Sequence, residues 1–298
     1  RSSPARRAVR DPLKVPRDAA QRSRLRCALE SDWPADERAG FWSNGRMNRT
    51  APTAIVAALH EELASVLALM PDEHKTLVGG RAFWVGHLHG QDVVAVLSGI
   101  GKVAAATTAT LLIDHFKVRR IVFTGVAGGL GPGVNVGDVV LARSFLQHDM
   151  DASPLFPRHE VPLYGRARFD ADPALTDALE LACDRVLQTL PGQLAPATVA
   201  AFGLQTPKLH QGLLISGDRF VATTAESAAL QRELPDALAV EMEGAAFVQV
   251  CHDFGVPLAV VRTVSDRADD AAHVDFPAFL REVASRYSGA VIEALFNH

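Results

Sequence analysis

The segment Arg120–Gly129 (RIVFTGVAGG) decides the fold class, because it joins an apolar run to a glycine-rich end. Arg120–Thr124 predicts a strand, and Gly125–Gly129 predicts a tight turn that leads into a helix. Ala54–Leu59 is apolar at every position, and Leu258–Thr263 begins with the apolar run Leu258–Val261. Continuous apolar runs of this length are typical of strands that are covered on both faces.

Segments with helical periodicity alternate with the predicted strands, which indicates an α/β fold with a parallel or mixed sheet. In such sheets the functional site lies beyond the carboxyl ends of the strands. The stretch Leu190–Thr206 predicts a surface connection, because it is rich in Pro, Ala and Gly. The other predicted strands are Phe83–Leu88, Val93–Leu97, Asp138–Leu146, Leu213–Ser216 and Ala239–Val240, and the predicted helices are Glu61–Leu69, Gly101–Phe116, Ala171–Leu190, Thr224–Arg232, Glu243–Phe254 and Pro277–Phe296.

The composition excludes several classes of protein. A net charge of -4 gives a nucleic-acid partner no electrostatic support, and no apolar run approaches the roughly 20 residues that span a bilayer. The cysteines Cys27, Cys183 and Cys251 form no CxxC pair, so we predict neither disulfides nor a metal site. We therefore expect a cytoplasmic protein without a cofactor.

Residues 1–46 differ from the remainder of the chain. They are rich in Arg, Ala, Ser and Pro and lack apolar periodicity, which predicts a disordered N-terminal extension. Their arginines would also suit a targeting peptide, but the acidic residues and the lack of an apolar core argue against one. Residues 47–298 are predicted to form a single domain.

Carboxylates follow several predicted strands directly. Glu62 lies just after the first strand, Glu241 and Glu243 follow Leu238–Val240, and Asp266 follows the strand that contains Arg262. Carboxylates that converge are costly unless they are used or paired, so this pattern favours acid–base chemistry. Glu62 would equally suit the first turn of a helix, where the helix dipole favours acidic side chains.

Three other motifs favour structural interpretations. Gly99–Lys102 resembles a phosphate-binding loop but lacks the GxxxxGK[ST] spacing, so close packing of a turn is the better interpretation. Asp218 suits a helix N-cap. His148–Asp151 resembles a metal cluster, but no partner ligands follow at a useful spacing, so no metal is predicted.

Together these motifs resemble the purine nucleoside phosphorylase and nucleosidase superfamily. Within it, the chain is similar to the 5′-methylthioadenosine/S-adenosylhomocysteine nucleosidases. The resemblance implies a three-layer αβα fold with a central mixed, partly barrel-like sheet. It also implies a homodimer. It covers residues 54–296 and rests on AALHEEL, SGIGKVAAATTATLLIDHF, TGVAGGL, VGDVV, GLLISGDRFV, VEMEGAAFVQVC and VVRTVSD.

The resemblance also implies roles for individual residues. Asp266 would be the general acid at purine N7, and Glu62 would be the base that activates the attacking water. Arg262 and Glu243 would position that water, and Glu243 with Met242 would contact the ribose. Further contacts with the substrate are expected from Leu59, Ile100, Ala127, Gly128, Phe220, Val221, Glu241, Ser265, Phe276 and Leu155. Phe220 would stack on the purine, and Leu155 would enter from the partner subunit.

Hydrolysis is favoured over phosphorolysis. Related bacterial phosphorylases carry an Arg and a Ser for phosphate in the segment that matches Ile121–Gly129, where this chain has Phe123 and Val126. Four alternatives stay open: a nucleosidase for another purine nucleoside such as futalosine, a phosphorylase, an AMP nucleosidase and a non-catalytic nucleoside-binding relative. The proline-rich stretch Asp151–Tyr164 departs from the family pattern and leaves the 5′ substituent undecided.

Overall fold

A computed structural model describes residues 51–204, 206–268 and 276–297, apart from the side chain of residue 191. The predicted extension, residues 1–46, lies outside the described residues. No helix in these three ranges is both long enough and apolar enough to cross a membrane. The strands are β1 Thr53–Ala57, β2 His74–Val78, β3 Arg81–Leu88, β4 Gln91–Leu97, β5 Arg120–Gly129, β6 Val139–Gln147, β7 Arg168–Asp170, β8 Leu209–Ser216, β9 Ala237–Glu241 and β10 Leu258–Asp266.

The helices alternate with these strands over most of the chain, as predicted. The C-terminal helical region is interrupted by a π-helical stretch, Leu280–Ala284, and a 3₁₀ turn covers Leu190–Gln193. The α-helices are α1 His60–Leu67, α2 Lys102–Asp114, α3 Pro173–Thr189, α4 Pro196–Ala201, α5 Thr224–Glu233, α6 Gly244–Phe254, α7 Phe276–Phe279 and α8 Ser285–Phe296.

The strands form one mixed sheet in the order β10–β6–β8–β9–β5–β1–β4–β3–β2, with β7 paired to β6. β5 pairs with β10 as well as with β9, so β5, β10, β6, β8 and β9 close into a barrel. The pairs β5–β10, β6–β8 and β8–β9 are parallel, and β6–β10 and β5–β9 are antiparallel. The predicted αβα fold with a mixed, partly barrel-like sheet is confirmed.

β1 shows why the central strands are continuous apolar runs. All five of its residues are buried. Ala54 and Val56 face the core that includes residues of α2 and α6, whereas Ile55 and Ala57 face the core that includes residues of α1, α3 and α8. Successive side chains of a strand point to opposite faces, so a sheet that is covered on both sides needs apolar residues at every position.

β5 differs from the predicted strand, which ended at Thr124. The strand continues through Gly125–Gly129, because β10 and β9 pair with that part. The glycines allow close approach: a Cβ on Gly125 would lie 3.2 Å from the guanidinium of Arg262. The predicted turn is therefore wrong, and the glycine-rich segment is a strand of the barrel.

The connection Leu190–Thr206 is also more ordered than predicted. It contains the 3₁₀ turn and α4, and Leu190 and Leu194 are buried. Thr198 donates from Oγ1 to Glu282 Oε2 at 2.7 Å, which ties α4 to the C-terminal helical region. The prediction of a surface excursion is wrong for this part, because its apolar residues belong to the core beneath α3.

Candidate active site

A pocket lies at the carboxyl ends of β1, β4, β5, β8, β9 and β10, where the sequence predicts the site. Most of the predicted site residues line it. They are Leu59, Ile100, Ala127, Gly128, Phe220, Val221, Glu241, Met242, Glu243, Ser265, Asp266 and Phe276. Four residues to which sequence analysis assigned no contact also line the pocket: Ala58, Val126, Arg219 and Val240.

Three of the predicted site residues do not form its wall. Glu62 and Arg262 are both 0% exposed, and they lie one layer deeper than the lining. Leu155 is half-buried and lines no part of this pocket. Its predicted contact involves a partner subunit and stays a prediction.

Glu62 is a fully buried carboxyl group at the start of α1. Its Oε2 accepts a hydrogen bond from the Leu59 N–H at 3.1 Å. Glu62 therefore lies in the first turn of the helix, and its side chain is buried there. Its Oε1 has no hydrogen-bond partner among the described residues. Burial raises the pKa of Glu62 to about 7, against the opposing effect of Arg262 and with a smaller contribution from Glu243. The group therefore exchanges a proton near neutral pH and retains an unused acceptor atom.

Glu243 is the N-cap residue of α6 and lines the pocket. Its Oε1 accepts a hydrogen bond from the Gly101 N–H at 2.9 Å, which joins α6 to the loop before α2. Burial and the neighbouring Glu241 raise the pKa of Glu243 to about 7. A second carboxyl group thus titrates near neutrality beside the same pocket.

Glu241, in contrast, is saturated with hydrogen bonds. It accepts from Arg262 Nη2 at 2.9 Å, from the Gly244 N–H at 2.9 Å, from the Glu243 N–H at 3.1 Å and from Ser216 Oγ. Its carboxylate therefore fixes the start of α6, and with it the backbone of Glu243. Glu241 lines the pocket, but its carboxylate is already engaged by these donors.

Arg262 is buried beneath the pocket on β10. Its guanidinium lies over the ring of Phe123, with 4.0 Å from Cζ to the ring centroid, and it donates to the carbonyl oxygens of Phe123 and Val261. Nε has no partner among the described residues. Stacking on an aromatic face and the ion pair to Glu241 offset much of the cost of burying this charge.

Asp266 lies at the end of β10, level with Gly128 of β5. Its Oδ2 accepts from Ser265 Oγ at 2.7 Å, and its Oδ1 accepts from the Ala268 N–H at 2.7 Å. A Cβ on Gly128 would lie 3.0 Å from Asp266 Oδ1, so a glycine there leaves room for the carboxyl group.

Large apolar side chains form the open part of the pocket. Phe220 is 50% exposed and Ile100 is 67% exposed, although both are residue types that prefer burial. Exposed apolar surface within a concave site is typical of a surface that binds a ligand. The arrangement suits an aromatic ring and an apolar substituent.

Positive charge at the pocket is limited. Among the described lining residues Arg219 is the one cationic side chain, and it forms an ion pair with Glu226. Arg219 directly precedes Phe220, so its place in the lining could have been predicted from the sequence. The described residues contain no cluster of three or more His, Cys, Asp or Glu side chains that could hold a metal ion.

A family model described as "Phosphorylase superfamily" matches residues 52–296. The chain belongs to the phosphorylase superfamily. The match spans the whole barrel and its helices, so the resemblance drawn from the motifs is confirmed at this level. Phosphorolysis and hydrolysis both occur among nucleoside-cleaving enzymes of the kind this resemblance implies, so membership alone does not decide the nucleophile.

Solved structures of other superfamily members match over most of this chain. The 5′-methylthioadenosine/S-adenosylhomocysteine nucleosidase of Neisseria meningitidis, in complex with methylthio-immucillin-A, is 32% identical with a TM-score of 0.70, and the match covers 82% of this chain and 98% of that one. The corresponding nucleosidase of Colwellia psychrerythraea 34H, in complex with adenine, is 31% identical with a TM-score of 0.73, covering 84% and 96%. The futalosine hydrolase of Helicobacter pylori is 29% identical with a TM-score of 0.71, covering 83% and 98%.

Proposed function

We propose that this chain hydrolyses the N-glycosidic bond of a purine nucleoside, with water as the nucleophile. One observation carries the proposal: the buried Oε1 of Glu62 has no hydrogen-bond partner among the described residues, and Glu62 lies behind a pocket that Glu243 and Asp266 line. The likeness to solved nucleosidases supports the same reaction. Phosphate as the nucleophile would need a cationic cradle, whereas Arg219 is already paired with Glu226.

On the base side, Asp266 donates a proton to N7 of the purine. As the bond between N9 and C1′ breaks, its electron pair moves into the purine ring, and protonation at N7 neutralises the charge that would otherwise develop there. Ser265 donates to Asp266 Oδ2 and so fixes the orientation of the carboxyl group. A general acid held in this way contributes typically about 10²–10⁴-fold to the rate.

On the sugar side, a water molecule bound by Glu62 Oε1 attacks C1′ and gives up its proton to Glu62. The overall reaction consumes one water and releases the free purine and the sugar. Glu243 accepts from the ribose hydroxyls, and its contact with Gly101 keeps it in place. The cationic sugar of the transition state is stabilised by the nearby carboxylates, as in glycoside hydrolysis.

We further propose that the substrate is 5′-methylthioadenosine or S-adenosylhomocysteine. Ile100, Leu59 and Phe276 form an apolar wall that suits an alkylthio group and disfavours a 5′-phosphate. This argues against AMP as the substrate. Futalosine is the second candidate, since the Helicobacter pylori futalosine hydrolase matches the chain as well as the methylthioadenosine nucleosidases do.

A comparison of kcat/KM tests the substrate. We expect 5′-methylthioadenosine or S-adenosylhomocysteine to exceed futalosine and adenosine by about tenfold or more, because each buried methylene of the 5′ group adds apolar contact. A preference for futalosine would contradict the thioadenosine assignment while leaving hydrolysis intact. Absence of turnover with all four nucleosides would overturn the proposed function itself.

We also propose a homodimer in which Leu155 of one subunit approaches the pocket of the other. Ile100 and Val103, which are 67% and 78% exposed beside the pocket, support an apolar contact at this position. Sedimentation of the wild type and of Val103→Glu tests this. We expect the wild type to be a dimer and Val103→Glu to shift toward monomer. A monomeric wild-type protein would contradict the proposal.

A further inference from the structure

A polar cluster outside the pocket joins three loops that the proposed mechanism does not explain. It consists of Lys102 at the start of α2, Gln147 and Asp149 at the end of β6, and Asp218 after β8. Lys102 Nζ donates to Asp149 Oδ1 at 2.6 Å and to Gln147 Oε1 at 3.1 Å. The Lys102 N–H donates to Asp218 Oδ1 at 2.7 Å, and the Asp218 N–H donates to Asp149 Oδ2 at 2.8 Å.

These bonds form a closed ring of three residues. Lys102 contacts Asp149 through its side chain and Asp218 through its backbone, and Asp218 contacts Asp149 through its own backbone. The side chains of Lys102 and Asp149 are 17% and 31% exposed, so the ring is partly shielded from solvent. Charge-assisted hydrogen bonds of this length are among the stronger ones in proteins.

The charges in the ring favour its ionised form. Burial raises the pKa of Asp149, but donation from Lys102 and from the Asp218 N–H outweighs this effect, so the pKa lies below its usual value. Asp218 caps the N-terminus of α2 from a different loop, which is a capping role other than the one expected from its local sequence. Lys102 is thus held by both acidic residues.

Two corners of the ring, Lys102 and Asp218, continue directly into the pocket wall. Gly101, one residue before Lys102, donates to Glu243, and Ile100 precedes it in the lining. On the other side, Asp218 is followed by Arg219, Phe220 and Val221 in the lining. The ring therefore connects the segment that holds the ribose-binding carboxylate to the segment that would stack on the purine.

We propose that Lys102, Asp149 and Asp218 form a positioning triad that sets the distance between the purine-stacking loop and the Gly101 N–H that orients Glu243. The triad touches no substrate atom, and the inference rests on the proposed function. It also gives the Gly99–Lys102 motif a role, since the lysine binds two aspartates of this chain rather than a phosphate.

The test compares Lys102→Met with Lys102→Arg and with Lys117→Met. Lys117 is a matched control, because it pairs with Asp114 at the exposed end of the same helix. Two quantities are measured: KM for 5′-methylthioadenosine and Kd for free adenine. We expect Lys102→Met to raise both by about tenfold or more, since small displacements of binding groups have large effects, whereas Lys102→Arg stays within about threefold.

KM separates positioning from folding. A variant with a smaller folded fraction loses apparent kcat but keeps its KM, because the molecules that remain folded bind normally. Equal KM and Kd values, within about twofold, in Lys102→Met and Lys117→Met would overturn the proposal. Asp149→Asn, which preserves the shape of the side chain, supplies the same readout if Lys102→Met does not fold: a rise in Kd supports the triad, and an unchanged Kd overturns it.

The adenine measurement also separates this proposal from the proposed function, because binding of adenine requires no turnover. If the wild type binds adenine but releases no base from any nucleoside, hydrolysis fails as the function and the triad is still tested by Kd. If the wild type is active and the double variant Lys102→Met/Asp149→Asn shows the product of the two single effects, the residues act independently and the triad is contradicted.

Discussion

The guanidinium of Arg262 donates to Glu241 at 2.9 Å, and both side chains are almost completely buried. This pairing matters because three carboxyl groups, of Glu62, Glu241 and Glu243, share the neighbourhood of a single cation. Glu241 takes the direct contact, so the other two carboxyl groups are compensated only at longer range. Their pKa values of about 7 follow from burial without a cation of their own.

The first prediction concerns Glu62→Gln. Glutamine keeps the shape of the side chain and its bond to Leu59 but cannot take a proton from water, so we expect kcat to fall by about 100-fold or more. The affinity for free adenine should stay within about threefold, because Glu62 lies on the sugar side. The neighbouring Glu61→Gln is the control and should retain activity. Near-normal turnover by Glu62→Gln would remove the assigned base.

The second prediction is that activity and stability respond to pH in opposite directions. The base must be ionised, so kcat/KM of the wild type should fall as the pH drops below about 7. The raised pKa means that the folded state holds more protons than the unfolded state between pH 4.5 and about 7, so stability falls as the pH rises through this window.

Glu62→Gln lacks the part of this loss that Glu62 contributes, whereas the part that Glu243 contributes is the same in both proteins. At pH 8 its free energy of unfolding should exceed that of the wild type by roughly 2 to 4 kcal/mol, and the difference should shrink below about pH 5. Urea unfolding at the two pH values measures it. A variant that is less stable than the wild type at pH 8 would argue against a buried carboxylate with a raised pKa.

The third prediction concerns Asp266→Asn. Asparagine keeps the shape of the side chain: its Oδ1 accepts from the Ala268 N–H, and its Nδ2 donates to Ser265 Oγ, which reverses that bond. It is not an acid, so release of adenine should slow by about 100-fold or more while the protein stays folded. Asp236→Asn, in an exposed ion pair with Arg168, is the control and should be neutral. Initial rates of adenine release are measured by liquid chromatography. Equal rates for Asp266→Asn and the wild type would exclude the acid role.

The fourth prediction is steric. A Cβ on Gly217 would lie 2.3 Å from Nε2 of His148, so Gly217→Ala must push these two groups apart. Because the His148 side chain is buried, we expect the loop that leads from Gly217 to Phe220 to move. We expect KM and the Kd for adenine to rise by about tenfold. Gly192→Ala is the control, since its added carbon would meet nothing within 4 Å. Unchanged binding by Gly217→Ala would show that the loop position does not matter.

Much of the site is predictable from local sequence. Strand residues such as Leu258–Val261 are recognised because both faces are covered, and polar residues directly after a strand must lie at its carboxyl end. This rule places Glu241, Glu243 and Asp266 beside one pocket. Glu62 is predictable only in part, because its position in the first turn of α1 is local, whereas its complete burial depends on helices packed from elsewhere.

Long-range pairing accounts for most of the errors. Gly125–Gly129 has the local signature of a turn, yet strands from distant parts of the chain extend it into the barrel. β9 and β10 do not pair with each other; they pair with opposite edges of β5. The contacts of Lys102 were missed for the same reason, because its partners Asp149 and Asp218 lie 47 and 116 residues further along the chain.

The central claim is that water, rather than phosphate, attacks the sugar. Its most direct test is the initial rate of adenine release from 5′-methylthioadenosine in phosphate-free buffer and again with added inorganic phosphate. We expect the same rate in both, with no sugar 1-phosphate detectable by phosphorus NMR. Release that requires phosphate and yields a sugar 1-phosphate would contradict hydrolysis.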